Sequence, residues 1–303
     1  MSHESLTIGG ARLIFRQDDF IRPGDTAPYI LLQHGFPRNS NFWGQWVPYF
    51  APDMRIIRPD LRGIGLSRLP VHDYEPSLEM FVDDATAILD TVGAERVVWV
   101  GEATGTLLGI AMAALMPDRI QALVLTDAFC RVDSDQIRST SGDMINTEKA
   151  LYGQGAASTF EAHGLRGRAR HDWTHHPQIR EQSSSYKEWY EDQFSLTDGA
   201  LAAKFYRALV GPPGIDCRPY LKDIKAPTLL LLGHNPLATQ DDLETMRTQI
   251  ADCREIEIDA PGWQLFSGQP EACALATRKF LLDVGILKSP TPSIQDADGT
   301  VGK

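Results

Sequence analysis

The chain has 303 residues, 43% hydrophobic and 23% charged, which is enough to bury a core without disulfide staples. Its formal net charge of -11 offers nothing to offset phosphate repulsion, so neither nucleic acid nor an anionic membrane is expected as a partner. The N-terminal MSHESLTIGGARLIF has no basic-then-apolar leader and no apolar run is long enough for a bilayer, so a cytoplasmic location is expected.

In chain order, short apolar runs read as strands at Tyr29 to Gly35, Arg55 to Asp60, Arg96 to Gly101, Ala122 to Asp127, Thr228 to Gly233 and Glu255 to Asp259. Helical patterns separate them, and that alternation predicts an α/β fold with a mainly parallel sheet flanked by helices. The spacing breaks once. About a hundred residues between Asp127 and Thr228 carry no strand-like run, too many for a loop, and they read as an inserted helical cap rich in aromatics. The expected organisation is a core over 1–130, a cap over 131–220, the rest of the core over 221–285 and a Pro/Ser/Asp/Gly-rich disordered tail over 286–303. Cys130, Cys217, Cys253 and Cys273 are scattered without metal or disulfide spacing and read as reduced thiols.

Three stretches carry the chemistry. LLQHGFPRNSNFW places His-Gly-Phe-Pro after a strand, IIRPDLRGIGLS ends the next strand in Asp-x-Arg-Gly-x-Gly, and WVGEATGTLLG joins strand to helix through Gly-x-Ala-x-Gly. Together, in this order and at these intervals, they make the chain resemble the capped α/β-hydrolase superfamily over roughly residues 10 to 283. The resemblance implies an α/β-hydrolase sheet with an inserted helical cap. It also implies an oxyanion hole from the backbone N–H groups of Phe36 and Thr104, with Thr104 contributing its backbone and not its hydroxyl. The family's nucleophile position holds Ala103, and its histidine position holds Trp263, with no histidine anywhere after His234. Pro236 stands at one place used for the acid; Asp127, 24 residues past Ala103, stands at the other.

A serine hydrolase needs a nucleophile and a base, and an indole N–H cannot accept a proton, so an acyl-enzyme mechanism is not expected. Asp127 is either a catalytic base or orienting acid, or a cap that accepts backbone N–H bonds. His234 either serves as general acid or base with Asp127 or bonds a loop carbonyl. Arg38 either meets an anionic substrate group or is solvated, and Glu102 is expected to face away from the cleft. Trp173, Trp189 and Tyr190 are candidate substrate walls, with the cap's own core as the alternative. HDWTHH (His171 to His176) reads as a solvated edge, so no metal is expected.

The favoured expectation is a cofactor-free, non-hydrolytic enzyme acting on a small apolar carbonyl or polyketide-like compound by C–C cleavage, isomerisation or cyclisation. The alternatives are an ester or lactone hydrolase in which Asp127 or His234 activates water, and a pseudo-hydrolase that only binds a small molecule. A homodimer is compatible with each.

Overall fold

The computed structural model describes residues 3–132, 155–175, 177–211, 214–234, 238–260 and 264–288. Trp263, Pro236 and His176 lie outside these residues, as does the expected tail from 289 onward.

The strands in chain order are β1 (His3–Ile8), β2 (Ala11–Asp18), β3 (Tyr29–Gln33), β4 (Arg55–Pro59), β5 (Val97–Glu102), β6 (Ile120–Thr126), β7 (Arg131–Val132), β8 (Ile215–Asp216), β9 (Thr228–Leu232) and β10 (Cys253–Glu257). Eight of them form one sheet in the order β1-β2-β4-β3-β5-β6-β9-β10. From β4 to β10 every pairing is parallel. Every residue of β5 is buried, which suits a central strand covered on both faces.

The expected strands are all present, with ends displaced by one or two residues. Two more precede them. β1 and β2 form an antiparallel hairpin outside the expected strands, closed by Gly9 and Gly10 at φ 54° and 75° between the paired Ile8 and Ala11. A two-residue turn with positive φ at both positions matches the twist of the strands it joins, and glycine adopts it without strain.

The longer helices are α1 (Leu78–Thr91), α2 (Thr104–Leu115), α3 (Ala156–His163), α4 (Arg166–His175), α5 (Ser184–Ser195), α6 (Gly199–Val210), α7 (Gln240–Gln249) and α8 (Pro270–Asp283). α2 follows β5 and is buried from Thr104 to Ala113, a helix apolar all round because it lies inside the fold. The described part of the span between β6 and β9 is mostly helical, α3 to α6, with β7 and β8 pairing across its ends.

These helices rest on the loops that follow β3 and β4. Asn39 Nδ2 donates to Gln193 O at 3.1 Å, Asn41 Nδ2 to Gln193 Oε1 at 2.6 Å, and Gly65 N to Thr197 Oγ1 at 2.9 Å. Phe36 stacks on Phe205 with centroids 5.0 Å apart. At the C-terminal end Leu287 packs into the core, so the described residues 286–288 belong to the fold and not to the tail assigned from composition. Among the described residues no helix is long and apolar enough to cross a membrane.

Candidate functional site

β5 passes into α2 through Ala103, held at φ 47° and ψ -114°. A non-glycine residue in that region stores roughly 1–3 kcal/mol of backbone strain, tolerated only where the surroundings over-determine it. Here three glycines do so. A Cβ on Gly35 would stand 2.5 Å from Glu102 O and 2.9 Å from the Ala103 Cβ, one on Gly101 2.3 Å from Gly105 O, and one on Gly105 2.5 Å from Gln33 O. Gly105→Ala is therefore expected to destabilise the fold by about 1–3 kcal/mol or more, since the crowding atom is backbone and cannot swing away. A urea midpoint unchanged by that substitution would show the turn to be less tightly held.

The two backbone donors expected to form an oxyanion hole are not equivalent. Thr104 N heads α2, where it has no intrahelical acceptor. Phe36 N, however, donates to Thr104 Oγ1 at 2.7 Å, buried. The expectation that Thr104 contributes only its backbone is corrected: its hydroxyl reaches across and occupies the other donor. A β-branched side chain in the first turn of a helix has few rotamers, and this one places Oγ1 on the Phe36 amide.

Asp127 follows β6 at φ 51°. Its Oδ1 accepts from Gln264 N and its Oδ2 from Leu265 N, both at 2.9 Å. It is thus a cap, though of the segment after β10 and not of the residues that follow it in sequence. Burial, then the charge of Glu102, push its carboxyl up to about 7, against Arg38 and the two amides. Thr106 ties this loop to the turn, its hydroxyl lying 2.6 Å from Ala103 O and 3.1 Å from Phe129 O.

Glu102, expected to face away from the cleft, turns towards the loop after β3. It is fully buried and accepts from Gly35 N at 2.7 Å and from Arg38 Nη1 at 2.9 Å. Arg38 is likewise buried, not solvated, at 2% exposure. Burial works against its charge, but Glu102, then Tyr190, Asp172 and Asp127, more than offset that and raise its pKa. Its guanidinium lies 5.5 Å from the centroid of Phe266 and 6.0 Å from that of Phe42.

α4 and α5 bring a second polar group towards Arg38. Asp172 accepts from Arg168 Nε at 3.1 Å and from the Tyr190 hydroxyl at 3.1 Å, and burial raises its carboxyl to about 7. The HDWTHH run is therefore not wholly a solvated edge, because Asp172 is completely buried. Arg168 and Asp172 stand four apart on a helix, a spacing that the sequence itself displays. Among the described residues no group of three or more His, Cys, Asp or Glu is gathered as a metal site.

The remaining candidates divide. Tyr190 is buried and stacks on Phe194 at 4.8 Å; Trp189 is half-buried 5.0 Å from Phe42. Trp173 points elsewhere, its Nε1 donating to Glu191 and its ring under Lys187. His234 is the clearest correction. Its side chain is 47% exposed and lies 3.2 Å from the exposed Asp259, while both oxygens of Asp127 are taken by backbone amides. It is not paired with Asp127. His34, which shapes the loop before Phe36, accepts from Leu61 N through Nε2 and bonds Gly35 O through Nδ1, so burial holds it neutral.

The sequence matches the α/β-hydrolase fold family model over residues 28–266, most of the chain. The chain belongs to the α/β-hydrolase fold family. A stretch of 107 residues is 34% identical to a fluoroacetate dehalogenase from a Burkholderia species, covering 34% of this chain and 35% of that one. Another of 98 residues is 35% identical to epoxide hydrolase A of Mycobacterium tuberculosis, covering 32% and 30%. The matches thus span about a third of the length of these curated relatives. The enol-lactonase from Burkholderia xenovorans LB400 superposes with a TM-score of 0.76 at 22% identity, over 92% of this α/β-hydrolase-fold chain and 99% of that structure. At that identity the likeness is one of fold.

Proposed function

We propose that this chain is a non-hydrolytic enzyme of the α/β-hydrolase fold, promoting C–C cleavage, isomerisation or cyclisation of a small carbonyl compound bound over Ala103. The helices from Ala156 to Val210 close the site as a cap. One observation carries the reading: the turn that exposes a side chain at the sheet end is built in full, strained φ and three crowded glycines included, around a methyl group. A methyl cannot attack a carbonyl, so the retained geometry serves to hold a ligand and leaves no covalent step. Asp127, its carboxyl raised to about 7 by burial, is the acid that moves a proton to or from the bound compound in this reading, through the lone pairs that the Gln264 and Leu265 amides leave free.

A second reading, in which the pocket binds its ligand without turning it over, is favoured by the Thr104 hydroxyl on Phe36 N, since that contact removes a charge-stabilising donor. Turnover separates the two. Incubating the protein in 18O-labelled water with a panel of cleavable and isomerisable carbonyl compounds should yield product without the label, and Asp127→Asn should abolish it. Labelled product would make the protein a hydrolase instead, and a panel returned unchanged would favour the binding reading. Ala103→Ser offers an independent check. It should create no turnover of p-nitrophenyl acetate, because no base is paired with Asp127, and robust esterase activity would overturn the proposal.

A further inference from the structure

The ion pair between Arg38 and Glu102 uses only one corner of the guanidinium. Nη1 donates to Glu102, whereas Nε and Nη2, both fully buried, have no partner among the described residues. Those two nitrogens share one edge of the planar group, and their N–H bonds run parallel. That edge matches two oxygens on one carbon, the geometry in which arginine holds a carboxylate bidentately. A buried donor left unmet is costly, so an arginine kept in this state implies a partner that arrives from outside. The segment that carries Phe266 also brings Gln264, whose side-chain amide is completely buried with neither its nitrogen nor its oxygen paired among the described residues.

We propose that the free edge of Arg38 seats a carboxylate, and that the ligand of this protein is a monocarboxylate with an apolar body. The inference rests on the pocket of the proposed function and names its substrate class. The usual place for negative charge in this pocket is compromised, because Phe36 N is held by the Thr104 hydroxyl; Arg38 offers the alternative. Phe42 and Phe266 lie near the guanidinium, and Trp189 lies against Phe42, so the surroundings of the charge are aromatic. Glu102, Asp127 and Asp172 all act on Arg38, which disfavours a dianion such as phosphate over a single negative charge.

Calorimetric titration of the full chain at neutral pH with two isosteric pairs, phenylacetate against phenylacetamide and hexanoate against hexanamide, tests the proposal. At least one acid should bind with Kd below about 1 mM and its amide at least about tenfold more weakly. Arg38→Lys keeps a cation beside Glu102 but loses the fork, and should weaken the acid about tenfold while leaving the amide unaffected. Should that variant fail to fold, the charge-free pair Arg38→Met with Glu102→Gln serves in its place and should bind acid and amide alike. Equal binding of acid and amide by the native protein, binding of inorganic phosphate in preference to either acid, or no acid binding up to about 10 mM would overturn the inference. Failure here is distinct from failure of the proposed reaction: an acid that binds without turnover removes the enzyme and leaves the seat, and a neutral carbonyl that turns over removes the seat and leaves the enzyme.

Discussion

Replacing Glu102 by alanine is expected to remove about 3–5 kcal/mol of folding free energy, a large fraction of what holds a domain of this kind together. Glu102 is completely buried and satisfies two donors from the loop after β3, Gly35 N and Arg38 Nη1. Without it the Arg38 charge stays in the interior without its hydrogen-bonded counter-ion, and the Gly35 amide loses its acceptor. Both groups lie in the interior. The loss belongs to the broken pair and does not measure what the pair contributes. Replacing both partners, Arg38→Met with Glu102→Leu, is accordingly expected to recover most of the lost stability, because two apolar groups of similar volume leave no charge to desolvate. Urea unfolding of the native chain, the single variant and the double variant reads all three. A single variant within about 1 kcal/mol of the native protein would mean that the pair is hydrated and that its burial has been overstated.

The second large effect is on pH. Burial raises the carboxyls of Asp127 and Asp172 from the usual carboxylate range to about 7, so the folded chain holds two protons that the unfolded chain has released. Where the folded state binds more protons, stability falls as pH rises. The contribution of each acid is therefore fully present below its unfolded value near 3.8 and is lost as pH climbs through about 7. Glu102 and Asp84, also raised by burial, act in the same direction. His34 opposes them, because burial keeps it neutral and its contribution is lost as pH falls below its ordinary 6.5. The raised carboxyls outnumber the histidine, so stability is expected to decline as pH rises between about 5 and 7.5. Denaturation midpoints across that range should fall with pH in the native chain. They should fall less steeply in Asp127→Asn and in Asp172→Asn, whatever either substitution does to absolute stability. Parallel profiles for all three proteins would remove the raised carboxyls from the account.

The two acids differ in how openly the sequence displays them. Asp127 was found because it ends a strand at a set distance from Ala103, and strand ends are where such folds gather their chemistry. Asp172 was hidden in a run of charged and histidine residues that reads as solvent-facing. Nothing local in that run records that α4 packs with α5 and places Tyr190 over it. His234 shows the opposite error. It begins the loop after β9, the right end of the sheet, yet its imidazole turns to Asp259 at the surface.

By itself the sequence determined the layered α/β fold, because unbroken apolar runs such as residues 97–101 are satisfied inside a parallel sheet covered by helices. It also determined that the turn after β5 carries a methyl, Ala103, at the centre of Gly-x-Ala-x-Gly. Only the tertiary structure decided what surrounds that methyl: that Glu102 turns inward to Arg38, that Thr104 closes its hydroxyl onto Phe36 N, and that Asp127 spends both oxygens on Gln264 and Leu265. Each of those contacts joins residues more than sixty positions apart. Side-chain hydrogen bonds depend on angles of a few degrees and distances of tenths of an ångström, which periodicity and spacing along a chain do not encode.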